Sequence, residues 1–337
     1  MIRPWIFEFF PEAASPAEAG RCIDQYLDLW TRDEALGFEG IFFSEHHFGG
    51  SYAPSPNLLI AALASRTQRL RLGVMGIVTP YYHPTRIIEE FGLLDQLTRG
   101  RLEIGTAVGV PQELALLGMS MGAAREINDE ILEIVDQALA GGPVTHHGKH
   151  FSFGPLRLLP PLRQLPAPPR WTTVVSVESA RKAARRRSKI CTGFISAKEI
   201  AALFDAYRDE AARTGFDVDA NWLAIRRRVT ISESFADADE ARQRMAARYR
   251  AFVASDPRMQ TNASPDSPRK EEGFNVSSDE FISGTPVDVH NAIRAQCEAA
   301  GAGHFLAVLH WGAQFDEVAA AHELFGAKVI PALASSG

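Results

Sequence analysis

The feature that most constrains this chain is a unit that recurs along most of its length. A short apolar run is followed by roughly 10–20 residues patterned for a helix. Strand candidates are Trp5–Phe10, Gly40–Phe43, Leu70–Val78, Arg101–Ala107, Trp171–Val175, Ile190–Ile195, Trp222–Ile231 and His304–Leu309. They are short, β-branched or aromatic, and mostly apolar on both faces, as strands of a buried parallel sheet are. Helix patterns fall between them at Pro16–Leu36, Thr85–Leu97, Ala123–Ala140, Ser179–Arg187, Ala197–Thr214, Ala236–Ala254, Thr285–Ala300 and Phe315–Ala334. Ser15 before Pro16 reads as an N-cap with proline in the first turn, and Gly37 as a C-terminal stop. The alternation predicts one (β/α)8 TIM barrel over residues 1–337.

A barrel of this kind takes about 250 residues, which leaves about 90 for excursions. One is expected at Gly141–Pro169, rich in Gly, Pro and His, as an insertion near the barrel mouth. There, Thr145–His147 and Phe151–Phe153 could form a hairpin. The other is the long polar loop Ser255–Gly284, before the last helix–strand unit, read as a lid candidate. A doubly wound sheet is the alternative fold, but Phe10-Pro11-Glu12 follows the first strand where a glycine-rich phosphate loop would be needed.

Composition narrows the partners. With 46% hydrophobic residues in 337, the chain can bury a large core, which excludes general disorder. Its 35 basic residues are scattered and outnumbered by 41 acidic ones, for a net charge of −6, which argues against nucleic acid. No apolar run reaches the roughly 18–20 residues of a membrane span, and Glu8 and Glu12 spoil a signal peptide. Cys22, Cys191 and Cys297 are too few and too far apart for a disulfide framework or zinc site. A cytoplasmic protein without membrane attachment is expected.

In a barrel the chemistry sits just past the strands' C-terminal ends. The second strand runs into Ser44-Glu45-His46-His47-Phe48, where one histidine can face the mouth and suits proton transfer. Satisfied loop histidines are the bland alternative. In the third strand Gly73 and Gly76 flank Val74-Met75, which suits either a flat ring lying on the backbone or a barrel corner. Gly105-Thr106-Ala107-Val108-Gly109-Val110 is a second small-residue strand end. After the fifth strand, Ser176 and Ser179 open a helix whose N–H groups and hydroxyls suit an anion, or serve only as an N-cap. The histidines at 146, 147 and 150 lack metal-ligand spacing, so no metal is expected. Asp95 reads as structural, pairing with Arg99 or Arg101 or capping a loop.

At these residues the chain resembles the bacterial-luciferase-like family of flavin-dependent monooxygenases. The resemblance runs through the first strand, Leu36–Gly40, Ser44–Phe48, Pro54–Arg66, Arg71–Pro84, Glu89–Gly105, Ser176–Ala184, Gly284-Thr285-Pro286 and Gly303–Leu333. It implies a (β/α)8 barrel that binds reduced FMN as cosubstrate at the mouth. There a flavin hydroperoxide formed with dioxygen oxidises a small organic substrate. It implies a catalytic role for His46 and a cis peptide at Met75-Gly76 beneath the flavin ring. Cofactor contacts at Met75, Gly76, Ala107, Ser176 and Ser179 follow, the serines near the phosphate. A separate flavin reductase as transient partner and a homodimer are also implied. His83 and Glu45 are expected to support the site, and Phe7, Phe9 and Trp311 to line the substrate side. One departure stands out: where luciferases carry a phosphate-contacting arginine, this chain has Val108, so either another cation, among Arg185–Arg187, substitutes or flavin binds weakly. Alternatives are a deazaflavin-dependent hydride-transfer enzyme, a non-catalytic flavin-binding paralogue and, as an outsider, a metal-dependent barrel hydrolase.

Overall fold

The computed structural model describes residues 1–11, 15–48, 53–157, 159–255 and 277–335. Eight parallel strands carry the fold: β1 (Arg3–Glu8), β2 (Gly40–Phe43), β3 (Arg71–Val74), β4 (Leu102–Ala107), β5 (Arg170–Thr173), β6 (Lys189–Thr192), β7 (Leu223–Ile231) and β8 (His304–Leu309). At least one helix follows each strand, which is the (β/α)8 pattern. The chain divides into two compact units. One comprises residues 1–9, 20–40 and 174–337, the other residues 10–19 and 41–173.

In the first unit, β8 pairs with β1 from Arg3↔His304 to Ile6↔Ala307, and with β7 from Ala224↔His304 to Val229↔Leu309. Trp5, Ala224, Ile225, Phe305 and Leu306 are buried along these strands. The first strand begins earlier than its apolar run suggests, because its register is set by His304 rather than by its own aromatics. At its start the Trp5 indole donates to His304 Nδ1 (2.9 Å), and His304 Nε2 reaches the Asn221 carbonyl (3.1 Å). Burial holds this imidazole down to about 3, so it stays neutral and serves packing. At the other end, Trp30 Nε1 donates to Glu8 (3.1 Å), while His322 Nδ1 meets Asp33 (2.9 Å). The enclosed Glu8 carboxyl is pushed up to about 7 by burial.

The nine-residue β7 is buried throughout and outlasts β6, which it pairs only over Leu223–Ile225. Its second half pairs instead with a short strand, Phe281–Gly284. That strand corrects the expectation of a structureless 255–284 segment: alternation too brief to read in sequence is enforced by pairing with Arg228–Ile231. The helix Phe235–Ser255 runs to the other end of that segment, and residues 256–276, the greater part of the Ser255–Gly284 lid candidate, lie outside the described residues. The last helix pattern breaks at a π-helical turn, Phe325–Val329.

In the second unit, β2, β3, β4 and β5 lie side by side, with Leu72↔Leu102 and Ile104↔Arg170 fixing the register. Phe42, Phe43, Leu72, Ile104 and Trp171 form its core. The continuous strand expected at Leu70–Val78 is two pieces, since the cis Met75-Gly76 peptide separates β3 from Ile77–Val78. Asp95, fully buried, accepts from the Arg163 and Gln164 backbone N–H groups and from the Gln164 amide. It caps a loop, while Arg99 and Arg101 bind elsewhere. Val144–His147 and Ser152–Leu156 form an antiparallel hairpin, and His146 Nε2 meets Glu130 (3.0 Å).

Candidate active site

Side-chain alternation past the end of β2 sorts its polar residues. Glu45 and His47, two apart, face one way and bond each other (His47 Nε2 to Glu45 Oε1, 2.8 Å). Glu45, with its side chain fully buried, also accepts from the Tyr82 hydroxyl (3.0 Å) and the Val78 N–H (3.2 Å). It therefore anchors His47 and the following strand.

His46 turns the other way. Its Nδ1 lies 3.0 Å from Glu113 Oε1, with the imidazole 31% and the carboxylate 11% exposed. A carboxylate on Nδ1 fixes the ring's orientation and tautomer. Glu113 was missed in the sequence. It sits in the first turn of a short helix, Pro111–Leu116. The signal that announces it is proline at the first helical position with an acid in the first turn. Three buried polar atoms among the described residues of this unit lack a partner: Asn57 Oδ1, Glu113 Oε2 and the Tyr81 hydroxyl. Burial, followed by the charges of Glu113 and Glu45, pushes the Tyr81 phenol up to about 12, so it stays a donor. Tyr81 packs edge-on against His47 with centroids 4.9 Å apart.

The glycines of β3 and β4 serve the protein's own packing. A Cβ on Gly73 would lie 2.6 Å from the Phe42 ring, and one on Gly76 would lie 2.6–2.8 Å from the Thr106 backbone. The Gly105 position would meet the Val74 carbonyl at 2.0 Å. The two strands thus approach too closely for side chains at these positions. Met75 is buried, with its N–H on the Phe43 carbonyl (2.8 Å). Ala107 pairs with Val78 and keeps partial exposure, as does Val108.

Ser176 and Ser179 lie in the first unit as a reciprocal capping box on the helix Val177–Arg185. Ser179 N–H donates to Ser176 Oγ (3.2 Å), and the Val175 and Ser176 N–H groups donate to Ser179 Oγ (3.1 and 3.0 Å). The N–H groups of Val177 and Glu178, in the first turn, have no intrahelical acceptor, as in any helix. Two hydroxyls and a helix N-terminus fit a phosphate group. The expected substitute cations do not. Arg185 is at the far end of that helix, paired with Glu210 (2.8 Å) and Glu178 (3.0 Å), and Arg187 lies over the Phe216 ring (5.6 Å). His83 occupies the N-cap position of the helix Pro84–Leu97 without a side-chain capping bond, and its Nδ1 lies 2.7 Å from Thr85 Oγ1. Phe7 and Phe9 lie 5.0 Å apart beneath the Arg226 guanidinium.

The family model for luciferase-like monooxygenases matches residues 6–304. The chain belongs to the luciferase-like monooxygenase family. It is 30% identical over 332 residues to limonene 1,2-monooxygenase of Rhodococcus erythropolis, covering 95% of this chain and 84% of the relative. Among solved structures, monooxygenase RslO1 from Streptomyces bottropensis superposes with a TM-score of 0.83 at 26% identity, covering 98% of this chain and 99% of that one. The oxygenating constituent of 3,6-diketocamphane monooxygenase from Pseudomonas putida, a structure in complex with FMN, shares the fold. Its TM-score is 0.78 at 21% identity, over 98% of each chain. Membership makes this protein a flavin-dependent monooxygenase by kind. No helix among the described residues is long and apolar enough to cross a membrane.

Proposed function

We propose that the protein is the oxygenase of a two-component system, using reduced FMN delivered by a separate flavin reductase to oxygenate a small organic molecule. The observation that carries this reading is the His46–Glu113 pair: an imidazole about one-third exposed, just past a strand's C-terminal end, held on Nδ1 by a nearly buried carboxylate. When bound, reduced FMN supplies the electrons that activate dioxygen. The chain's own residues do the rest. His46 is assigned to moving a proton to and from the reacting oxygen, and Glu113 to holding the imidazole in place. The Met75-Gly76 backbone and Ala107 are assigned to the ring. The hydroxyls of Ser176 and Ser179, with the helix N-terminus they cap, are assigned to the phosphate. Without a guanidinium at Val108, flavin is held loosely, which suits a cosubstrate that arrives reduced and leaves oxidised.

The test supplies chemically reduced FMN and ¹⁸O₂ to the enzyme with a panel of small organic substrates. Incorporation of one labelled oxygen into product, lost in His46→Ala with folding intact, is the expected result. Turnover with reduced deazaflavin under anaerobic conditions, and none with FMN, would replace this reading with hydride transfer.

A further inference from the structure

The first unit holds an open cavity of about 230 Å³ where β7 and β8 end, lined among others by Thr230, Met245, Arg248, His310 and Trp311. Three of these carry donors that the protein leaves unused. The Arg248 guanidinium has no hydrogen-bond or ion-pair partner among the described residues. It lies against Gly312, where a Cβ would stand 3.2 Å from Arg248 Nη1. Gly312 adopts a left-handed φ of +78°, so the turn admits the guanidinium by having no side chain there. Thr230, fully buried, has a hydroxyl without a partner, and His310, 7% exposed, has an unpartnered Nδ1.

His310 is built to keep that arrangement. It adopts φ +44°, rare for a non-glycine residue. Its Nε2 lies 2.9 Å from the Ile231 N–H and 3.1 Å from the Ile231 carbonyl. With the amide donating to Nε2, the neutral ring carries its proton on Nδ1. Burial holds the imidazole below its usual range, consistent with a neutral ring. A buried polar group left unpaired costs about 1–3 kcal/mol, so Thr230 and His310 call for a partner, and the exposed Arg248 guanidinium supplies a charge that would draw an anion to them.

The charges around the cavity favour an anion. Arg244 and Arg248, both in its lining, are balanced by Glu240 and Glu317, which pair with Arg244 (2.8 and 3.1 Å), so the surplus of positive charge comes from farther in. Behind the Trp311 wall, Arg226, Arg227 and Arg228 share the single carboxylate of Glu280, with Asp279 acting on Arg227 from a distance. The Arg228 guanidinium lies 5.5 Å from the Trp311 ring and 4.5 Å from the Tyr249 ring. Met245 and the Trp311 ring supply an apolar body to the same space.

We infer that this cavity binds a small organic acid of about one ring, its carboxylate taken by Arg248, Thr230 and His310 and its body by Trp311 and Met245. The test of this inference needs no flavin. Calorimetric titration of the full chain uses benzoate, its neutral isostere benzamide, and inorganic phosphate. Benzoate is expected to bind at least tenfold more tightly than either other probe, and Arg248→Met to weaken it at least tenfold while leaving the unfolding midpoint unchanged. Thr230→Val, close in volume, is expected to weaken it about threefold or more. Benzoate failing to bind, benzamide binding equally, phosphate binding more tightly, or full affinity in Arg248→Met would each overturn the inference.

Discussion

Glu280 offers the sharpest test of how the first unit is held together. Its carboxylate is fully buried and accepts from Arg226 Nη2 (3.0 Å), Arg227 Nη1 (3.2 Å) and Arg228 Nη1 (2.5 Å), and from the Phe194 N–H (2.7 Å). Three guanidinium groups therefore lean on one negative charge. Burial already lowers the affinity of Arg228 for its proton to about 10, so these cations are not comfortably solvated. Glu280→Gln keeps the volume and removes the charge. Breaking a buried pair by removing one partner costs about 3–5 kcal/mol, because the other partner stays buried and uncompensated. Unfolding entropy near 2.1 cal/mol/K per residue gives about 0.7 kcal/mol/K for a chain of this length. The midpoint should then fall by about 4–7 °C, read by circular dichroism on heating. The control is Glu298→Gln, whose exposed pair with Arg294 is 60% and 47% exposed and should shift the midpoint by about 1 °C or less. Equal shifts in the two variants would refute the reasoning, since burial would then not matter.

The remaining expectations follow from the other named contacts. Glu113→Gln should lower turnover with reduced FMN by about 10²-fold through misplacement of His46, with flavin affinity unchanged in a fluorescence titration. Gly76→Ala should destabilise by about 1–3 kcal/mol or abolish folding, since the new Cβ meets the Thr106 backbone, as chemical denaturation will show. Stability should decline as pH rises from 5 to 8. Burial raises the Glu8 carboxyl to about 7, so its favourable protonated form, complete below its ordinary 4.5, is lost through neutrality. His322 shifts the same way: burial opposes its protonation, but Asp33 outweighs it and raises the imidazole, so that stabilisation also fades on the alkaline side. Glu8→Gln should flatten the midpoint-versus-pH curve.

The strands and helices were legible because their signal is local: apolar runs of the right length, and caps such as Ser15 and Gly37. What escaped reading depends on contacts distant in sequence. Phe281–Gly284 is a strand only because β7 outlasts β6 and offers an open edge. Glu45 and Glu113 are both acids near a histidine in sequence or space, and only the fold decides which holds His46. The glycines at 73 and 76 were visible, yet sequence could not say whether a ligand or the neighbouring strand required them. The charge excess at Arg226–Arg228 was hidden inside a run that otherwise reads as an ordinary apolar strand. The alternation of Glu45, His46 and His47 past β2, by contrast, followed directly from strand geometry.

The central claim is that reduced FMN binds with its phosphate on the Ser176–Ser179 helix start and reacts beside His46. Anaerobic titration with reduced FMN, followed by admission of dioxygen, addresses both halves in one experiment. Wild-type protein should saturate, Ser176→Ala with Ser179→Ala should bind about tenfold more weakly, and His46→Ala should bind normally yet fail to oxygenate substrate. Unchanged affinity in the double serine variant, or undiminished oxygenation in His46→Ala, would contradict the account.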